Sequence, residues 1–72
     1  MLKIRDDVDF KELENLGFKK KKYDNVKHYV LEKEDKNQDI VFDTDNRQLC
    51  FCNWGYDILY DLIKANLVEK AE

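Results

Sequence analysis

The residues best suited to chemistry with a partner form a basic run in the first half of the chain. Lysines neutralise phosphates, and exposed aromatic side chains stack on bases. In a strand only alternate residues share a face, so such a run is divided between two faces. The run predicts a weak single-stranded nucleic-acid binder, a charged edge strand that discourages pairing with other chains, or a protein-binding patch. The predicted basic surface comprises Lys19, Lys20, Lys21, Lys22, Tyr23, Lys27 and His28.

Charge is distributed unevenly along the sequence. Residues 18–28 hold five lysines and one aspartate, a net charge of +4, whereas the whole chain carries −3, so the remaining residues carry −7. An overall negative charge argues against a protein whose entire surface binds nucleic acid or anionic lipid. Any such binding is expected to be confined to the basic surface.

Cys50 and Cys52 place two thiols on one face of a predicted strand. A structural zinc site usually has four Cys or His ligands, and this chain has two Cys and one His. Neighbours on one strand face lie roughly 7 Å apart, which is beyond the usual reach of a disulfide. We therefore expect buried, reduced cysteines, with no metal and no cofactor.

Other candidate catalytic or metal-binding motifs are incomplete. The segments that begin at Asp35 and Asp43 start like calcium-binding loops, but both lack the glycine and glutamate that the sixth and twelfth positions need. His28 has no recognisable catalytic partner in the sequence. Gly17 and Gly55 do not form a phosphate-binding loop. We expect the protein not to be an enzyme.

Apolar side chains exceed what a core of this size needs. The second predicted helix has one narrow polar stripe, and the strand before it is apolar on both faces. Surplus apolar surface usually marks an interface, and association stabilises a domain with a thin core. We expect a noncatalytic protein-interaction module, with self-association as a homodimer; the alternative is that the helix packs both flanks within its own chain. The predicted interface comprises Val41, Cys50, Cys52, Trp54, Tyr56, Ile58 and Tyr60.

Two helices have recognisable boundaries. Asp9 is the predicted N-cap of the first helix, Glu12 completes a capping box, and Gly17 is the predicted left-handed residue after its last turn. The second helix is predicted to begin at residue 55 or 56 and to end at residue 64 or 65. Asn66 is expected to end it as Gly17 ends the first.

Four strands are predicted between the helices, over residues 18–23, 26–33, 39–43 and 48–54. Their short polar loops imply antiparallel hairpins. The lysine-rich first strand is predicted at an edge, and the last two strands, apolar on both faces, are predicted to be central. The predicted fold is α+β, with a helix, a four-stranded antiparallel sheet and a helix (αββββα), the helices lying mainly on one sheet face. The chain termini can add short extended segments outside this order.

Composition limits the class of protein. The 72 residues are 43% hydrophobic and 40% charged, which suits one small globular domain over residues 1–72. No apolar run approaches 18 residues, and the N-terminus has no signal pattern. We therefore expect a cytoplasmic protein with reduced thiols and no membrane contact.

Two segments carry a resemblance to known sequences. Residues 6–13, DDVDFKEL, followed by Gly17 and Phe18, resemble part of small uncharacterised proteins from AT-rich Gram-positive bacteria and their phages. Residues 59–69, LYDLIKANLVE, resemble the same proteins. The resemblance covers the two predicted helices. It implies a phage-encoded or accessory factor and no known activity.

Overall fold

The computed structural model describes residues 1–71 as a small α+β protein. Strands β2, β3, β4 and β5 form an antiparallel sheet in that order, and β1 pairs with β6 in a second antiparallel sheet. The elements in chain order are β1 (Leu2–Ile4), α1 (Phe10–Glu14), β2 (Lys19–Lys21), β3 (Val30–Asp35), β4 (Gln38–Asp43), β5 (Leu49–Asn53), α2 (Tyr56–Lys64) and β6 (Val68–Lys70).

The predicted order αββββα is wrong because both ends of the chain form strands. Ile4 of β1 lies opposite Val68 of β6, and both side chains are buried. This pair of strands is joined to the larger sheet by two backbone contacts. The Ile4 amide donates to the Arg47 carbonyl at 2.8 Å, and Lys3 and Gln48 form an isolated antiparallel β-bridge. Strands of three residues with one buried side chain each are too short to show the alternation that identifies a strand.

The helix ends follow their sequence signals. Asp9 and Glu12 form the predicted capping box at the start of α1. Gly17 has φ 100°, and beyond it the Phe18 amide donates to the Leu13 carbonyl at 3.1 Å. The predicted boundaries of this helix are therefore confirmed.

The second helix is fixed at both ends. Asn66 has φ 60°, and the Leu67 amide donates to the Leu62 carbonyl at 3.0 Å, so the predicted C-terminal geometry is also confirmed. At the other end, Gly55 is buried, and a Cβ atom there would lie 2.4 Å from Ile40 Cγ1. The absence of a side chain lets the start of α2 approach β4 closely.

The core lies between one face of the four-stranded sheet and the two helices. Leu31, Ile40 and Phe42 project into it from β3 and β4. They pack with Leu13 of α1 and Leu62 of α2, and each of the five is at most 1% exposed. Because side chains alternate across a strand, the intervening residues of β3 and β4 face the opposite side of the sheet.

The two edges of the four-stranded sheet are β2 and β5. The edge position of β2 confirms the prediction, but the central position predicted for β5 is wrong. Leu49 and Cys52 pack against the core, while Phe51 on the other face remains 50% exposed. A strand that is apolar on both faces therefore need not be central, because one of its apolar faces can remain exposed.

The connection between β2 and β3 is a loop over residues 22–29 in place of the predicted tight turn. The Tyr23 hydroxyl donates to the Glu32 carboxylate, and His28 Nε2 lies 2.7 Å from Asp43 Oδ2. Glu32 and Asp43 both lie on the sheet face that points away from the core. The loop is thus held against that outer face.

Candidate protein-interaction surface

A row of exposed apolar side chains runs from the end of β5 along α2. Tyr56, Tyr60 and Ile63 follow the i, i+4, i+7 spacing of one helix face. The Trp54 ring meets the Tyr56 ring edge-on, with the ring centroids 6.4 Å apart. These four residues, which we call the aromatic surface, are Trp54, Tyr56, Tyr60 and Ile63, with exposed fractions of 70%, 69%, 62% and 55%.

Trp54 is held in an unfavourable backbone conformation. Its φ is 55°, in the left-handed region that residues with a bulky side chain rarely adopt. Holding a residue there costs of order 1 kcal/mol, and glycine would avoid most of that cost. The exposed indole makes no part of the core. Strained residues of this kind cluster at functional sites.

The other predicted interface residues are placed differently. Ile58 is 4% exposed and belongs to the core, so it cannot contribute to a surface. Cys52 is half-buried against the core, Val41 is half-buried on the outer sheet face, and Cys50 is exposed on β5. The prediction omitted Ile63, although its place on the helix face follows from the spacing. The predicted residues that the structure brings together are Trp54, Tyr56 and Tyr60.

Two opposite charges flank the aromatic surface. Asp57 and Lys64 are seven residues apart, which is about two helical turns, so they lie on the same side of α2. Within residues 1–71 neither side chain forms an ion pair. The Lys64 ammonium lies 5.7 Å from the centroid of the Tyr60 ring. One side of the aromatic surface thus carries a negative charge in the first turn of α2 and a positive charge in the last, with the exposed Asp61 between them.

One lysine of the basic surface is neutralised within the protein. Lys21 Nζ lies 3.4 Å from the Glu32 carboxylate and 3.3 Å from that of Glu34, and these contacts raise the pKa of Lys21. Lys20 Nζ lies 5.2 Å from the centroid of the Tyr29 ring. A lysine neutralised by two carboxylates is a weak ligand for phosphate, since the same charge cannot be used twice.

Further residues of the basic surface are bonded to the loop and the sheet. The Lys22 ammonium donates to the Val26 carbonyl within the loop. Burial opposes ionisation of Asp43, but its bond with His28 and two backbone amides hold the pKa of Asp43 below its usual value. The hydroxyl of Tyr23 donates to the Glu32 carboxylate. These contacts make the loop part of the sheet's outer face.

A carboxylate cluster on the outer sheet face comprises Glu32, Glu34 and Asp39, with oxygen atoms within 4.8 Å of one another. Lys21 supplies a positive charge to two of the three. Burial raises the pKa of Asp39 to about 6, and the neighbouring Glu32 carboxylate adds to the rise. Burial also opposes ionisation of Glu32, but hydrogen bonds from Tyr23 and neighbouring groups keep the pKa of Glu32 below its usual value. The cluster is built around a lysine ammonium.

Comparisons with known proteins were made for the whole chain: no protein-family model, no curated protein sequence and no solved structure matches it. In the described part of the chain, neither helix has the length and apolar character needed to cross a membrane.

Proposed function

We propose that this protein is a noncatalytic protein-interaction module that binds its partner through the aromatic surface. The observation that carries the proposal is Trp54, a large aromatic residue held at positive φ with its side chain in solvent. Tryptophan and tyrosine are enriched at the centres of interfaces, because they bury large areas with few rotatable bonds. The three aromatic residues and Ile63 expose about 500 Å² of mainly apolar surface, and covering it favours binding.

A rigid helix presents this surface. Ile58 and Leu62 anchor α2 in the core, and Gly55 lets its first turn approach β4. Side chains held on a rigid element lose less conformational entropy on binding than those on a mobile loop. Anchors at i, i+4 and i+7 are typical of recognition by one face of a helix. The free thiols of Cys50 and Cys52 suit the reducing cytoplasm, where we propose that the module works.

Site-specific cross-linking in cells tests the proposal. A photoreactive phenylalanine analogue replaces Tyr60 in one version of the protein and Tyr29 in the other. Both positions are exposed, but Tyr29 lies beside the basic surface at the opposite end of the sheet. We expect a discrete cross-linked protein product from position 60 and none from position 29. Absence of a product at position 60, or equal products at both positions, would contradict the proposal.

The alternative function is weak single-stranded nucleic-acid binding through the basic surface. Four of the five lysines of the basic surface support it, because all four are exposed and none forms a side-chain ion pair within residues 1–71: Lys19, Lys20, Lys22 and Lys27. Their contribution to phosphate binding falls steeply with salt. Amide-resolved NMR with a short oligonucleotide separates the two functions. Saturable shifts over residues 19–29 that disappear at high salt would favour nucleic acid, and we expect none.

A further inference from the structure

We propose that the partner of the aromatic surface is a second copy of this chain, with the two α2 helices packed antiparallel about a two-fold axis. This inference rests on the proposed function and names its partner. A two-fold interface uses the same patch on both chains, so the patch must be complementary to itself. The aromatic surface and its flanking charges meet that requirement.

The spacing of the apolar residues fits a short helix-pairing seam. Tyr60 takes position a of a heptad, and Tyr56 and Ile63 take the two adjacent d positions. In an antiparallel pair, a residues of one helix pack against d residues of the other. Tyr60 therefore packs against Ile63 of the second copy, and the two-fold axis produces this contact twice. In this register Tyr56 and Trp54 lie beside the chain that follows α2 of the second copy, so they extend the apolar contact beyond the two Tyr60–Ile63 layers.

The flanking charges select the antiparallel orientation. Asp57 and Lys64 both take position e of the same heptad frame, where side chains of antiparallel helices meet in e-to-e pairs. With Tyr60 opposite Ile63, Asp57 lies beside Lys64 of the second copy, and the symmetry makes two such pairs. Neither Asp57 nor Lys64 forms an ion pair in residues 1–71, so the two pairs between copies do not compete with an ion pair inside the chain. In a parallel pair in register, position e instead faces position g of the other helix, so Lys64 would lie beside Leu59 and the two charges would not pair.

The area of the aromatic surface sets the expected strength of the dimer. About 500 Å² of side-chain surface per chain is less than the roughly 800 Å² that each partner buries in a standard specific interface. Weak and transient complexes occupy this lower range. We therefore expect a reversible dimer with a dissociation constant on the order of 10–100 μM.

Sedimentation equilibrium of the full chain and a charge-exchange series test this arrangement. The weight-average mass of the wild type should rise from 8.7 kDa towards twice that value between about 1 μM and 1 mM protein. Asp57→Lys and Lys64→Asp should each weaken the dimer about tenfold, because each replaces two attractive pairs by two repulsive ones. The double variant, with the charges exchanged, should return to within about threefold of wild type.

Two further variants serve as controls. Asp24→Lys makes the same charge change on the exposed loop 22–29 and should leave the dissociation constant unchanged. Tyr60→Ser removes an exposed side chain at the centre of the seam and should abolish association while the circular dichroism spectrum stays that of the wild type.

The outcomes separate this inference from the function on which it rests. A wild type that stays at 8.7 kDa throughout, while position 60 still cross-links to a different protein, overturns the second copy and leaves the interaction module. A monomer with no cross-link at position 60 overturns both. A dimer whose double charge variant is as weak as the single variants overturns the antiparallel pairing.

Discussion

The basic surface and the aromatic surface differ in how much of their chemistry the protein uses for itself. In the basic surface, Lys21 binds two carboxylates and His28 binds Asp43. In the aromatic surface, the one ring-to-ring contact within residues 1–71 joins Trp54 to Tyr56, and most of both side chains is exposed. The fold thus occupies part of the basic surface and leaves most of the aromatic surface open to a partner.

The groups that have no partner within the fold therefore indicate a binding surface better than the density of functional groups in the sequence does. A run of four lysines draws attention because it could bind phosphate, but β3 carries Glu32 and Glu34, whose carboxylates lie 3.4 and 3.3 Å from Lys21 Nζ. The aromatic residues are less unusual in composition, yet each keeps more than half of its surface exposed.

Gly55→Ala should have the largest effect, because it disturbs the anchor of the aromatic surface. The added methyl group would lie 2.4 Å from Ile40 Cγ1 and 3.1 Å from Cys52 Sγ, so α2 must move away from the sheet. We expect the free energy of unfolding to fall by about 2 kcal/mol, measured by urea denaturation. Asn53→Ala, at an exposed position two residues earlier, should change it by less than about 0.5 kcal/mol. Equal effects would show that α2 is not closely anchored.

Glu32→Ala tests whether the basic surface is structural. This carboxylate is 4% exposed and accepts from both Tyr23 and Lys21, so its removal leaves the Tyr23 hydroxyl without a partner and Lys21 with Glu34 alone. Because both donors can turn to water, we expect a loss of about 1–2 kcal/mol in chemical denaturation at pH 7. The matched control is Glu34→Ala, which removes an exposed partner of the same lysine and should lower stability by less than about 0.5 kcal/mol. A Glu32→Ala protein as stable as wild type would show that these bonds are incidental.

Asp39→Asn should have the smallest effect, and its sign should depend on pH. The pKa of Asp39 is raised to about 6 in the folded protein, so the folded state holds the proton more tightly than the unfolded state. That stabilisation is complete below about pH 4 and is lost as the pH rises through about 6. Asparagine cannot ionise, and its amide can donate to Glu32 at every pH. Relative to wild type, the variant should therefore be neutral near pH 4 and more stable by about 1 kcal/mol at pH 7.5.

Denaturation of both proteins across this pH range measures the difference directly. Glu32, Glu34 and Lys21 face the same carboxyl group and are present in both proteins, so the difference between the two stability curves reports on the replacement of Asp39. A difference that stays constant from pH 4 to 7.5 would contradict the raised pKa of Asp39.

Local features of the fold were predictable from sequence, whereas contacts between distant segments were not. Asp9, Gly17 and Asn66 act within one helical turn, so their meaning does not depend on the rest of the chain. The pairing of β1 with β6 joins opposite ends of the chain through three residues each. No local pattern encodes such a pairing.

The rotation of α2 about its own axis determines which of the predicted interface residues are exposed. Apolar residues cover most of the helix circumference, so either the side of Ile58 or that of Tyr60 could face the sheet from the pattern alone. Packing against Ile40 selects the side of Ile58 and Leu62. Tyr60 then faces solvent, which is why the sequence identified part of the surface and misplaced Ile58.

Fluorescence of Trp54 as a function of protein concentration tests whether a second copy of the chain covers the aromatic surface. It is the one tryptophan in the sequence, so its emission reports on the aromatic surface alone. In dilute solution we expect the red-shifted emission of a solvent-exposed indole and strong quenching by acrylamide. As the second copy covers the surface, the emission should move to shorter wavelength and the quenching should fall, with Asp57→Lys needing about tenfold more protein. An emission maximum and quenching constant that stay unchanged up to about 1 mM would show that no second copy covers the aromatic surface.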